Sequence, residues 1–254
     1  MSLVHAEYLK LSRRKLYPLM VAILAVLVAL LAFFFLIFGQ LLPELADELP
    51  VFEKPEAYVF GAQQVAGQTW FPLVLAVVML GSEFGNTVWA TALTRDSRRL
   101  NQISARFLVL VVASWAAILI GIVGWSLVVL FASPGTGGPD AVEWLEVVWK
   151  IGLIELAWTS IGLAAVALLR SVGPAIGAAL ALYFIDPLFA FWGPYENISL
   201  SAATSAMFPV FPDGAFSAFV PGAGLSTAHA ILIMVGWAVA GFALTWWGLQ
   251  RRDA

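Results

Sequence analysis

Residues 19–38 read LMVAILAVLVALLAFFFLIF, and the uncharged stretch around them extends from Leu16 to Pro43. A helix needs about 20 consecutive, mostly apolar residues to cross the hydrocarbon core of a bilayer. The stretch is longer than the apolar core of a signal peptide, and no small-residue cleavage site follows it. We therefore expect a retained membrane anchor, which places the chain among membrane proteins.

The composition of the whole chain agrees with this assignment. Of the 254 residues, 61% are hydrophobic and only 11% are charged, whereas a soluble domain is typically about 25% charged. The net charge of −3 leaves no basic surface for phosphate backbones, so we expect no nucleic-acid partner. The chain has no cysteine and only two histidines, which excludes disulfides and thiolate or histidine-built metal centres.

Five further apolar stretches follow the first one. They are Tyr58–Gly81, Ile103–Phe131, Val147–Leu169, Ala175–Trp192 and Ala228–Leu249. Each is long enough to form a membrane-spanning helix. We therefore predict an all-α membrane protein in which residues 1–254 form a single transmembrane domain with six spans.

Two other segments are expected to contact the membrane. Residues 1–15 carry Val4, Tyr8 and Leu11 at helical spacing beside four basic residues, which predicts a short interfacial helix. A merely basic flank is the alternative. Residues 193–227, between the last two spans, are too rich in proline to span and too apolar for a solvated loop. We expect them to form re-entrant short helices packed against protein in the outer leaflet.

The distribution of basic residues predicts the orientation. Eleven of the thirteen Lys and Arg residues precede the first span, follow the sixth, or lie between the second and third or the fourth and fifth spans. The remaining loops are mainly acidic. Because Lys and Arg accumulate in cytoplasmic loops, both termini are expected to be cytoplasmic.

Catalytic motifs are missing from the sequence. It contains neither the P-loop G-x-x-x-x-G-K-[ST] nor the metalloprotease motif H-E-x-x-H. Ser226 and His229 lack both an orienting acid and a G-x-S-x-G elbow. We therefore expect that the chain is not an enzyme and that it binds no cofactor or metal.

The loop between the second and third spans carries the strongest motif. Residues 81–100 read GSEFGNTVWATALTRDSRRL, and Arg106 opens the next span. A short helix here would align Phe84, Val88 and Leu93 on one face, which suits a partner's groove or a membrane surface. A basic cytoplasmic loop without a partner is the alternative.

This loop and the start of the chain resemble a known family. The loop is similar to the pattern G-x-E-[FY]-x-x-x-T-x-[RKW]-x-x-L-[TS]-[RH]-x-x-[SR]-R…[KR] of type-2 ABC exporter permeases, in the branch with small six-span subunits. The opening Glu7–Lys15 resembles the E-x-x-K-x-x-R-x-K start of the same permeases. One departure is that Trp89 or Ala90 stands where the family often has a second basic residue.

The resemblance implies a mechanism and partners. Two permease subunits, identical or different, would pair in the membrane and bind two copies of a separate ABC ATPase, which would hold ATP and Mg. Residues 83–101 would form the coupling loop in the ATPase cleft, and residues 1–15 the interfacial connecting helix. Residues 193–227 would gate the outer exit. The coupling residues that the resemblance implies are Glu83, Phe84, Thr87, Val88, Trp89, Leu93, Thr94, Arg95, Arg98 and Arg99.

Glu83 is expected at the cytoplasmic end of the second span. Its expected role is to contact Arg95, Arg98 or the coupling loop. The alternative is an ordinary boundary residue that costs little at this depth.

Four polar residues within the spans are candidates for a translocation path: Gln64, Gln68, Glu155 and Asp186. Such residues usually face protein or water because exposure to lipid is costly. The alternative for Glu155 is a pair with Lys150 or a polar contact with another helix. The alternative for Asp186 is that it caps a helix break at Pro187, since aspartate before proline favours turns. The alternative for the two glutamines, together with Gln63, is that they form interhelical hydrogen bonds.

The sequence thus favours the permease subunit of an ATP-driven exporter in a prokaryotic cytoplasmic membrane. A non-transporting structural or assembly subunit of a larger membrane complex is the alternative. Copurification with an ATPase or with other membrane subunits distinguishes the two. No motif indicates the transported substrate.

Overall fold

A computed structural model describes residues 3–34, 54–85, 99–133, 135–208, 222 and 224–250. The regular elements in these ranges are all helices: α1 Leu3–Ser12, α2 Leu16–Ala32, α3 Lys54–Ala66, α4 Trp70–Gly85, α5 Arg99–Ala132, α6 Ala141–Leu169, α7 Val172–Phe189, α8 Gly193–Glu196, α9 Leu200–Met207 and α10 Thr227–Gln250. Five candidate spans are long and apolar enough to cross a membrane, and the pair α1 and α2, bent by 64°, makes a sixth if counted as one. The predicted all-α class and membrane character are thus confirmed for the described residues.

Helix α6 forms the centre of the packing. Within its most apolar window, 72% of the residues are buried, against 28% for α10 and 17% for α7. Helix α10 has the most extensive contact with α6, while α4, α5 and α7 also pack against it. The outer helices leave large apolar side chains such as Phe184, Leu188 and Leu232 exposed. So much exposed apolar surface fits contact with lipid acyl chains.

Glycines allow the helices around α6 to approach closely. A Cβ atom added to Gly241 of α10 would lie 2.5 Å from the Ser160 hydroxyl oxygen and 2.8 Å from the Ser160 carbonyl carbon. A Cβ atom added to Gly162 would lie 2.8 Å from the carbonyl oxygen of Leu73 in α4. Small residues commonly allow membrane helices to pack with their backbones close together. These positions therefore set the spacing of α4, α6 and α10.

The second predicted span is longer than expected and is interrupted. Helices α3 and α4 together form one candidate span, Lys54–Phe84, rather than Tyr58–Gly81. The helix breaks over residues 67–69. Gly67 has low helix propensity, and the break places Pro72 in the first turn of α4, where proline is tolerated. The interruption is therefore a property of this local sequence.

The other predicted helix boundaries also shift. Helix α6 begins at Ala141, six residues before the predicted start, because Asp140 and Glu143 form a capping box. The Asp140 carboxylate accepts the backbone N–H groups of Val142 and Glu143, each at 2.8 Å. Helix α5 begins at Arg99 and α7 at Val172, both earlier than predicted. The predicted continuation of the first span beyond residue 34 lies outside the described residues.

Two local alternatives from the sequence are wrong. Helix α7 continues through Pro187 to Phe189, so Asp186 does not cap a break at that proline. Lys150 pairs with Glu146 at 3.1 Å, one helical turn away, and not with Glu155. Pro187 has no N–H group to donate to the backbone carbonyl four residues earlier. That carbonyl lies in the last turns of α7, where the helix is about to end, so the helix can continue through the proline.

The segment after α7 contains the short helices α8 and α9. In α9, Leu200, Ala203 and Met207 are buried, and the helix packs mainly against α10 and α7. Residues 209–221 and 223, which belong to the predicted re-entrant region, lie outside the described residues.

We expect the substitution Gly241→Ala to lower the free energy of unfolding by about 1–3 kcal/mol, because overpacking forces backbone shifts. The matched control is Gly236→Ala in the same helix, where nothing lies within 4 Å of an added Cβ. Alanine favours a helix over glycine by up to about 1 kcal/mol, so the control is expected to keep or raise stability. Thermal unfolding of both variants in the same detergent checks this. Equal unfolding temperatures for the two variants would contradict the packing argument.

Candidate functional site

Four charged side chains from three helices meet in one place, which we call the charge cluster: Glu7, Lys10, Glu83 and Arg106. Arg106 Nη2 lies 2.6 Å from Glu83 Oε2, and Arg106 Nε lies 3.2 Å from Glu7 Oε2. Lys10 Nζ lies 2.7 Å from Glu7 Oε1 and 3.4 Å from Glu83 Oε1. Each acid thus contacts both bases, and the four formal charges cancel.

The charge cluster joins α1 to α4 and α5. The Glu83 and Arg106 side chains are only 2% and 5% exposed. Arg14, in the bend after α1, also donates to the Ser82 hydroxyl at 2.6 Å. Buried charges are retained at acceptable cost only when they are paired and hydrogen-bonded. The position of α1 is therefore tied to the end of α4 and the start of α5.

The inward face of α1 differs from the predicted apolar stripe. Of Val4, Tyr8 and Leu11, only Leu11 is buried, whereas Val4 and Tyr8 are exposed. The inward face combines Leu11 with Glu7 and Lys10, which follow the same helical spacing. The contact of α1 with the protein is therefore largely electrostatic.

Local charges perturb the titration of Glu7. Burial raises the pKa of its carboxyl, but the opposing effects of Arg106 and Lys10 are together larger, so the pKa lies below its ordinary value. Glu7 therefore stays ionised at neutral pH, as the charge cluster requires.

The charge cluster lies at both ends of residues 86–98, the main part of the predicted coupling loop. Glu83 is two residues before the end of α4, and Arg106 is two helical turns into α5. The Glu83 carboxylate contacts Arg106 and Lys10, which we had not predicted as its partners. Phe84 is half-buried against the core. Outside the described residues lie Thr87, Val88, Trp89, Leu93, Thr94, Arg95 and Arg98, together with the side chain of Arg99.

A second feature is the polar cavity, an open cleft of about 510 Å³ that is lined by residues of α3, α6, α7 and α9 and of the break after α3. Its lining includes the predicted residues Gln64 and Gln68 as well as Trp158 and Tyr183. The remaining lining residues are Gln63, Gly67, Thr69, Phe184, Pro187, Ser201, Thr204 and Ser205. The break between α3 and α4 thus forms part of the cavity wall.

Several polar groups at this cavity lack protein partners. Within the described part of the chain, no hydrogen bond is formed by the side chains of Gln63, Gln64, Ser201 or Ser205. Gln68 differs, because its side-chain amide donates to the backbone carbonyl of Gln64 at 3.1 Å and accepts a hydrogen bond from the indole N–H of Trp70 at 3.0 Å. Unpaired polar groups between membrane helices are costly unless water or a ligand satisfies them. The cavity is therefore suited to polar contents.

Asp186 anchors the segment that follows α7. Its fully buried carboxylate accepts hydrogen bonds from the Tyr195 hydroxyl at 2.7 Å and the Ser199 hydroxyl at 3.1 Å. It also accepts the backbone N–H groups of Leu200 at 3.3 Å and Ser201 at 2.7 Å, at the positive end of the α9 dipole. Burial and the Asp186 carboxylate raise the pKa of Tyr195, which keeps its hydroxyl a donor.

Glu155 lies apart from the polar cavity. Its side chain is fully buried, and neither carboxyl oxygen has a hydrogen-bond partner with adequate geometry among the described residues. The Ser114 hydroxyl of α5 faces it, but that hydroxyl donates to the carbonyls of Leu110 and Val111. The four residues predicted for a translocation path therefore separate into Gln64 and Gln68 at the cavity and Glu155 and Asp186 outside its lining.

Some of the lining residues carried a sequence signal that we did not use. Ser201, Thr204 and Ser205 recur at helical spacing and so predict one polar face on α9. Trp158 and Tyr183 carried no such signal, because aromatic residues within apolar spans usually pack in the core.

We expect Glu83→Ala to destabilise the protein by about 3–5 kcal/mol, because it leaves a buried arginine without its main partner. The matched control is Glu146→Ala, which removes the ion pair with Lys150. The Glu146 side chain is 56% exposed, and such an exposed pair stabilises a protein by at most about 1 kcal/mol. Denaturation in one detergent compares the two variants. Equal losses would contradict the assignment of Glu83 to a buried, essential pair.

A pH titration tests the Glu7 contacts. Because the pKa of folded Glu7 lies below the ordinary 4.5, its ionised form stabilises the fold above pH 4.5. That contribution is lost as the pH falls through the lowered value. We expect Glu7→Gln to flatten the acid limb of the stability curve below pH 4.5, measured by thermal unfolding. The exposed control Glu56→Gln should keep the wild-type slope. The same slope for both variants would overturn the assignment.

Comparisons with known proteins do not assign the chain to a family. No protein-family model matches it, and no curated protein matches it either. The charge cluster, the polar cavity and the Asp186 anchor are therefore the features of the molecule that bear on its function.

Proposed function

We propose that the chain is the permease subunit of an ATP-driven ABC export system. In this proposal a separate ATPase subunit hydrolyses ATP, and the chain couples that hydrolysis to movement of a substrate across the membrane. Two copies of the chain pair in the membrane, and each binds one ATPase. The ATPase subunits hold ATP and Mg, and the chain itself carries out no catalysis.

The observation that carries this proposal is the charge cluster. Lys10, which belongs to the part of the chain that resembles the family's start, is 73 positions from Glu83 in the sequence, yet the two side chains form an ion pair. Arg106, the basic residue of the same motif, completes the contact. A basic loop without a partner needs no such connection between its two ends and the first helix. The arrangement suits a loop that receives force and passes it to the membrane helices.

The helix contacts supply a route for that force. The charge cluster joins α1 to the end of α4 and the start of α5, so a displacement of either of these two helix ends would also displace α1. Helix α4 packs closely on α6 at Gly162, and α6 contributes Trp158 to the wall of the polar cavity. A displacement of the loop by the ATPase would thus reach the cavity through α4 and α6. Packed helices transmit such displacements because interiors compress little.

The proposed export function implies an orientation of the chain in the membrane. In this proposal the chain has six spans, of which α2 belongs to the first, and both termini and the charge cluster are on the cytoplasmic side. Helix α1 lies at that interface. Helices α8 and α9 then form the re-entrant region in the outer leaflet, where the Asp186 anchor holds them against α7 and α10. The membrane is the cytoplasmic membrane of a prokaryote.

The test is purification of the tagged chain from its native membrane in mild detergent, followed by mass spectrometry of the bound proteins. We expect a stoichiometric P-loop ATPase. The triple reversal Arg95→Glu, Arg98→Glu and Arg99→Glu is expected to reduce its recovery at least about tenfold, because close like charges oppose docking.

The control reverses Arg251 and Arg252, which lie beyond α10 and outside the proposed docking loop. It should leave recovery of the ATPase unchanged. A stable set of other membrane proteins without an ATPase would overturn the transport proposal and support a structural or assembly subunit. Retention of the ATPase by the triple variant would overturn only the docking loop.

A further inference from the structure

We propose that the polar cavity binds the transported molecule and that this molecule is uncharged, bears hydroxyl groups and has a ring-shaped apolar face. The inference rests on the proposed transport function, since it names the substrate class. It concerns a cavity within one subunit, formed by α3, α6, α7 and α9.

The hydrogen-bonding groups of the cavity are amides and hydroxyls. Among the described residues, the side chains of Gln63, Gln64, Ser201 and Ser205 have no protein partner, although all four are partly exposed at the cavity. An amide both donates and accepts, as does a hydroxyl. This set complements a ligand that also both donates and accepts, which is the property of a hydroxylated molecule.

Among the residues that the structure describes, none of those lining the cavity has a charged side chain. The nearest acid in the sequence, Asp186, adjoins the lining residue Pro187, but its carboxylate is fully buried and accepts four hydrogen bonds within the anchor. A charged ligand would lose its hydration without gaining a counter-charge, which is strongly unfavourable. The chemistry therefore selects an uncharged ligand.

Three aromatic residues supply the apolar part of the site. Trp158 and Tyr183 meet edge to face, with ring centroids 6.2 Å apart and planes at 69°. Phe184 also lines the cavity. Aromatic rings bury apolar area with little loss of side-chain freedom, and they pack well against flat apolar faces. At about 510 Å³, the cavity falls within the range of about 300–1,000 Å³ that is typical of small-molecule sites.

The absence of native cysteine makes a direct test simple. Ser205→Cys and Ser201→Cys place a thiol at the cavity, and Thr136→Cys places one in the exposed loop before α6 as a control. Each variant, in lipid nanodiscs, is treated with neutral methyl methanethiosulfonate and with its trimethylammonium and sulfonate analogues. Intact mass spectrometry measures the rates of modification.

We expect the neutral reagent to label both cavity thiols. For each thiol, the rate of modification by a charged reagent is divided by the rate of modification by the neutral reagent. For both charged reagents, this ratio should be at least tenfold lower at the cavity thiols than at the Thr136→Cys control. If the neutral reagent labels neither cavity thiol, the cavity is closed and the proposal fails. If the charged reagents show the same relative rates as at the control, the selection against charge is wrong.

A protection experiment tests the ligand class. Phenyl β-D-glucoside, an uncharged ring that carries hydroxyl groups, is expected to slow modification of Ser205→Cys at least fivefold, whereas phenyl phosphate is not. Adding Gln64→Leu should abolish the protection, while Gln250→Leu at the exposed end of α10 should preserve it. Absence of protection by the glucoside, or equal protection by phenyl phosphate, would overturn the ligand class.

These measurements need no ATPase, so they separate the two proposals. Protection by the glucoside without any copurifying ATPase would overturn the export function and retain the cavity as a binding site. Copurification of an ATPase without protection would retain the export function and overturn the substrate class.

Discussion

The close approach of α6 to its neighbours, made possible by Gly162 and Gly241, sets the positions of most other helices. Lipid supplies no hydrophobic force between membrane helices, so packing and hydrogen bonds must hold them together. A side chain at either glycine would press on the backbone of the neighbouring helix. With these contacts in place, α6 is the most buried span and presents Trp158 to the polar cavity.

The charge cluster is the second constraint on the helices, and it acts at the end of the bundle where α1, α4 and α5 meet. The charge cluster places two acids and two bases together, so that none of the four is buried without an opposite charge. Removing one partner of a buried ion pair lowers stability far more than replacing both partners with apolar residues, because the remaining buried charge is left uncompensated. The cluster thus makes the end of α4, the start of α5 and the whole of α1 one mechanical unit, which is the basis of the proposed coupling.

The segment from α7 to α9 contributes to two structural features that share residues, the Asp186 anchor and the polar cavity. Asp186 takes four hydrogen bonds and so holds α8 and α9 in place. Because the Asp186 carboxylate accepts these four hydrogen bonds, the described residues that line the adjacent cavity give it polar walls without charge. Ser201 takes part in both features, since its backbone N–H reaches Asp186 while its residue lines the cavity. A disturbance of the anchor would therefore also change the cavity.

Local patterns in the sequence were enough to predict the helical class, the membrane character and most helix positions, because apolar length and capping act over a few residues. The start of α6 could have been read from Asp140 and Glu143, and the polar face of α9 from its serine and threonine spacing. The partners of Glu83 and the grouping of Gln64 with Trp158 and Tyr183 could not be read in this way. These contacts join residues far apart in the chain, and helix packing alone decides which of them meet.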